Sequence, residues 1–123
     1  MAQFGSASCG LLRPGPHAAV VVLAGEHDVS TLPLLRRVLA ALDLGSGLLV
    51  VIDLSGATFI DAAVLAVLGA VERAVGGGRF GLLPGTAPPV RRILDLTGWL
   101  DRPCVITADD GGLREFLAAR AAR

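Results

Sequence analysis

Two carboxylates and two hydroxyls fall inside the eleven residues Asp53-Leu-Ser55-Gly-Ala-Thr58-Phe-Ile-Asp61-Ala62-Ala63. Groups of these kinds close together could ligate a cation, activate a nucleophile, or bond the backbone at a turn and a helix start. The run before them, Leu48 to Ile52, is continuously apolar and rich in β-branched residues, as a central strand covered on both faces requires. The polar groups therefore emerge where a buried strand surfaces, and the chemistry is expected at that junction.

Each catalytic reading lacks a part. Asp53, with Glu26 and Asp28 after an earlier strand, imitates the acidic pocket of a phospho-accepting receiver, but that pocket needs a lysine to neutralise phosphoryl oxygens, and the chain contains none. Glu26-His27-Asp28 could ligate a metal in principle, yet consecutive residues point in different directions and no second cluster completes a set, so a surface turn is expected. Ser55, His27 and an aspartate have the letters of a hydrolase triad without the strained Gly-x-Ser-x-Gly turn that would expose the serine. Gly76 to Gly81 matches Gly-x-Gly-x-x-Gly, but it follows a helix and opens a strand, the reverse of a dinucleotide site. No enzyme activity, metal or cofactor is expected.

The elements that must position the junction read as follows. Arg13-Pro-Gly-Pro-His17 is a turn joining a weak strand near Ser6 to Leu12 to a strong one at Ala18 to Ala24. Ser30 is placed to cap a helix carrying Leu34, Leu35, Val38, Leu39 and Leu42 on one stripe. A strand at 48–53 leads through a loop to a second helix, Ala62 to Val75, capped by Asp61 and stopped by the glycine run. A short strand at Arg79 to Leu83, a helix ending near Leu96, a last strand at Pro103 to Thr107 and a terminal helix capped by Asp109 or Asp110 complete the chain. The fold class is α/β: an N-terminal β-hairpin, then alternating helices and parallel strands in a mixed four- or five-stranded sheet, with helices mainly on one side. All 123 residues are read as one domain, with residues 1–5 as a flexible tail.

Composition bounds the partners. Eleven arginines balance eleven acids, so no net field recruits nucleic acid or an anionic membrane. Ala62 to Val71 is the longest apolar run and falls short of the ~20 residues of a membrane span. Cys9 and Cys104 form no paired motif, and with no secretory signal evident both read as reduced and the location as cytoplasmic. Val64, Leu65, Val67, Leu68 and Val71 cover more than one face of the second helix, which must be buried all round or meet a partner.

Gly25-Glu26-x-Asp28, Asp53-Leu-Ser55-Gly-x-Thr58-Phe-Ile-Asp61 and Leu96-Thr-Gly98-Trp-Leu resemble, in motif, order and spacing, the STAS domain of bacterial anti-sigma-factor antagonists. The resemblance implies function by binding: a kinase-type anti-sigma factor of ATPase fold docks on the loop and helix, and phosphorylation of a serine directly after the aspartate that matches Asp61 breaks the complex. Here that position is Ala62, followed by Ala63 and Val64, so the usual phospho-switch cannot operate there. The partner surface implied comprises Glu26, Asp28, Ser55, Thr58, Asp61, Ala62, Ala63, Val64, Leu65 and Leu68. A diverged module acting as scaffold or subunit in a sensory or transporter-associated assembly is the alternative, and homodimerisation stays open. Thr58 and Ser55 are the remaining hydroxyls that could accept phosphate.

Overall fold

The computed structural model describes residues 7–76, 78–107 and 112–121. Strands β1 (Ser8–Gly15), β2 (Ala18–His27), β3 (Leu49–Ile60) and β4 (Phe80–Leu83) form one sheet in the order β1-β2-β3-β4. The hairpin pair β1–β2 is antiparallel, whereas β2–β3 and β3–β4 are parallel. Each parallel step moves the same way across the sheet, and right-handed crossovers then put the connecting helices on one face. Accordingly α1 (Leu32–Ala40), α2 (Ala62–Val75) and α3 (Pro88–Leu96) share a core with Val21, Leu23, Val50, Ile52 and Leu82.

The opposite face carries Val20, Leu49 and Val51, covered by Ile106 and by Phe116 of α4 (Gly112–Ala121). Both faces of β3 are thus apolar, which is why its sequence does not alternate. Gly81 is where α4 comes closest: a Cβ there would lie 2.7 Å from the Phe116 ring. On the other face Trp99 is buried against Phe80, with ring centroids 6.1 Å apart, and the Arg102 guanidinium sits 3.9 Å above the indole while pairing with Glu72 of α2.

Four expectations need correction. The strand expected at 48–53 runs on to Ile60, so Thr58 lies in β3 and not in a loop. Two bulges make this extension: Val22 and Ala24 face Asp53 and Gly56, and Gly25 and Glu26 face Ala57 and Phe59, so β3 gains one residue at each step. Burial therefore changes from the continuous run Leu49 to Ile52 to every third residue, with Leu54, Ala57 and Ile60 inside. Ser30 does not cap α1: Asp28 caps a 3-10 turn at Val29–Thr31 that precedes the helix, and Thr31 stands at the N-cap of α1 without a side-chain cap bond.

His27 is 1% exposed and is not part of a surface turn. The last strand reduces to one parallel bridge, Leu82 to Val105, made by Leu82 N–H to the Cys104 carbonyl and Ile106 N–H to the Leu82 carbonyl, because residues 102–104 are held in a turn that Val105 N–H closes on the Arg102 carbonyl. The flexible tail at residues 1–5, the strand start at Ser6 and the caps Asp109 and Asp110 lie outside the described residues.

Candidate functional site

Asp61 holds the junction together with both carboxylate oxygens. Oδ1 accepts from Val64 N–H at 3.1 Å and caps α2, while Oδ2 accepts from Val29 N–H at 3.2 Å in the turn after β2. One side chain thereby brings the Glu26–Thr31 segment beside the start of α2, residues some thirty positions apart in sequence.

That turn is itself built from side-chain bonds. Asp28 accepts from Ser30 N–H at 2.9 Å and Ser30 Oγ–H at 2.6 Å, and Asp28 N–H donates to Thr31 Oγ1 at 3.0 Å. The bonds from the Ser30 hydroxyl and then its amide favour the ionised form and hold the Asp28 carboxyl below its ordinary value of 3.8. Beneath it, His27 Nε2 lies 3.0 Å from both the Ser8 and Ala24 carbonyl oxygens, so this nitrogen carries the proton. Nδ1 is 3.2 Å from Thr31 Oγ1, placed to accept from that hydroxyl. His27 therefore ties the edge strand, β2 and the turn into one support.

The sequence-expected residues divide into three groups. Glu26, Thr58 and Ala62 are exposed, with Asp28, Asp61 and Ala63 half-buried, around the end of β3 and the first turn of α2. Glu26 pairs with Phe59 across the sheet, which sets it beside the junction. Ser55 is exposed but lies five residues back along β3, about 13 Å from Ile60 once the bulge is discounted. It neighbours Gly85, where a Cβ would meet the Ser55 Cα at 2.9 Å, and its N–H bonds to Asp53 Oδ1 at 2.9 Å.

Val64, Leu65 and Leu68 are buried in the core, so they cannot be contact residues on this surface. They support it from below, because their side chains follow the helical repeat that faces the sheet. The first three turns of α2 turn outward Ala62, Ala66 and Ala70, with Ala63 and Val67 half-buried.

Sequence reasoning passed over the apolar groups around the junction. Val29 is 66% exposed, Phe59 42% and Leu96 78%. Phe59, Ile60 and Asp61 form one wall of a hollow of about 540 Å³ whose other wall is Pro88, Pro89, Arg92, Ile93 and Leu96 of α3. Leu96 was legible from spacing: Leu94 faces the core, and two residues further along a helix point about 200° away. Phe59 was not, because its outward direction depends on the second bulge.

Burial pushes both thiols, Cys9 and Cys104, up to about 11, so neither offers a thiolate near neutral pH. Among the described residues no cluster of histidine, cysteine and carboxylate side chains could hold a metal ion, and no helix is long and apolar enough to cross a membrane.

The fold and this junction define a class. The family model described as Mlab, STAS domain, matches residues 12–107, and the chain belongs to the STAS domain family. Among solved structures, a crystal structure of an anti-sigma factor antagonist from Mycobacterium paratuberculosis is 26% identical, with a TM-score of 0.74 over 94% of this chain and 98% of that one. The anti-sigma factor antagonist SpoIIAA in its unphosphorylated form, 18% identical, gives 0.73 over 93% and 97%. A putative anti-sigma factor antagonist from Thermotoga maritima, 18% identical, gives 0.68 over 88% and 93%. A comparison with curated proteins found no significant match.

Proposed function

We propose that the chain is a non-catalytic, cytoplasmic regulatory module that binds a kinase-type anti-sigma factor at the β3–α2 junction, as an anti-sigma-factor antagonist does. The observation that carries this reading is the Asp61 brace, which fixes Ala62 and the Glu26–Ser30 edge as one exposed surface in a fold shared with such antagonists. Glu26, Asp28, Thr58, Ala62 and Ala63 supply the contacts, with Asp61 positioning them. Two similar solved structures are SpoIIAA in its unphosphorylated form and in its phosphorylated form. In this chain Ala62 stands at the first position of α2, directly after Asp61, and carries no hydroxyl to accept one. Phosphate would add about −1.5 to −2 charges beside a partner, so its loss removes the step that would release the complex. The antagonist then stays in its binding form.

Incubation with the partner kinase and ATP tests this. The wild-type chain is expected to bind and gain no mass, whereas Ala62→Ser gains one phosphate and then releases the partner. Phosphate on wild type, at Thr58 or Ser55, would refute the proposal.

The exposed Phe59 and Leu96 favour a second reading, in which the chain is a permanently assembled scaffold or subunit of a sensory or transporter-associated complex. Stable co-migration with such a complex, insensitive to any anti-sigma factor, would select it.

A further inference from the structure

A second concave site lies at the other end of the sheet, where β2, β3 and β4 begin. It encloses about 580 Å³, within the range of small-molecule pockets. Its basic side chains come from three separate elements. The hairpin turn delivers His17, whose carbonyl accepts from Leu49 N–H at 2.9 Å, and the loop before β4 delivers Arg79, whose carbonyl accepts from Val50 N–H at 2.8 Å. Consecutive residues of β3 thus fix His17 and Arg79 on its two sides, with backbones about 10 Å apart at strand spacing.

Arg120 arrives from α4. Its guanidinium lies 3.8 Å above the Phe116 ring, and its Nε–H donates to the Gly78 carbonyl at 2.7 Å, one residue from Arg79. No carboxylate is among the described residues that line the hollow, although acids equal arginines across the whole chain. Two guanidiniums and an imidazole gathered without a carboxylate make a positive focus. The walls between them, Leu49, Leu117 and Pro14, are apolar.

We propose that this hollow binds a small organic anion, its carboxylate or phosphate held by Arg79, Arg120 and His17 and its apolar body resting on Leu49 and Leu117. Guanidinium forks match both head groups. The site is independent of the β3–α2 junction, which lies about 30 Å away, the nine-residue rise of β2 from Ala18 beside Leu49 to His27 beside Ile60.

Isothermal titration of the full chain with 1-naphthyl phosphate, 1-naphthoate and 1-naphthol tests the proposal, and the first two arms distinguish the head group. Saturable binding of at least one anion is expected, about tenfold weaker in Arg79→Gln and in Arg120→Gln, with naphthol binding weaker than either anion. Arg79 is exposed, so Arg79→Gln keeps the fold even if loss of the Phe116 contact loosens α4 in Arg120→Gln. Absence of binding by both anions, naphthol binding as tightly as the anions, or undiminished binding in Arg79→Gln would overturn it.

Discussion

Asp61 serves two elements at once, and its replacement separates their contributions. Asp61→Ala removes the bond to Val64 N–H and the bond to Val29 N–H, so a loss of about 1–2 kcal/mol is expected in urea denaturation. Amide exchange should accelerate at Val29 as well as at Val64. Asp61→Asn keeps the acceptor for the cap but turns its amide NH2 toward Val29 N–H, so it should lose only the second bond and fall between the wild type and Asp61→Ala. An Asn variant as unstable as the Ala variant would contradict the capping account.

Asp28 gives a test by pH. Its native carboxyl sits below its ordinary value, so its contribution is complete above that value and is lost as pH falls through the lower native one. The Ser30 amide resonance should therefore titrate with a midpoint below 3.8. A midpoint at or above that value would contradict the hydrogen-bonded turn. His27 was not legible at this scale, since nothing local in Gly-Glu-His-Asp announces that its ring partners are the carbonyls of Ser8 and Ala24 and the hydroxyl of Thr31.

At the scale of elements, α2 decides which substitutions report on binding and which on folding. Val64 is buried at the first turn, so Val64→Glu places an unpaired carboxylate in the core and is expected to cost about 3 kcal/mol or more. Ala66 is exposed on the opposite side of the helix, and Ala66→Glu should change stability by no more than about 0.5 kcal/mol. Thermal melts of the two variants check this ordering, and equal losses would show that the exposed face of α2 is misassigned.

The helix itself was legible to the residue, from the Asp61 cap to the glycine stop, because both ends carry local signals. Which of its faces is buried was not. Leucines, valines and alanines recur on all sides, and only the packed sheet selects Leu65 and Leu68 for the core and leaves Ala62, Ala66 and Ala70 outside. In β3 the sequence signal ends at Asp53, since Ser55 and Gly56 break the apolar run. The bulges that carry the strand on to Ile60 are a property of its pairing with β2.

At the scale of the molecule, the sheet order follows from patterns that short segments carry: a turn-rich hairpin, apolar central strands, and helices between them. The three sequence motifs come together in space because β2 and β3 end side by side, while the Leu96 segment closes the hollow across from Phe59. Ala62 stands exposed at the centre of that arrangement. The most direct measurement is affinity purification of the tagged chain from a lysate of its source cells, with mass spectrometric identification of its partners, alongside the control Ala62→Glu, which puts a charge on an exposed contact position at the start of α2. Recovery of an anti-sigma factor of kinase type with the wild-type chain, absent from the control and undiminished by added ATP, is the predicted result. Recovery of a permease or sensory scaffold instead, or release of the anti-sigma factor on addition of ATP, would contradict it.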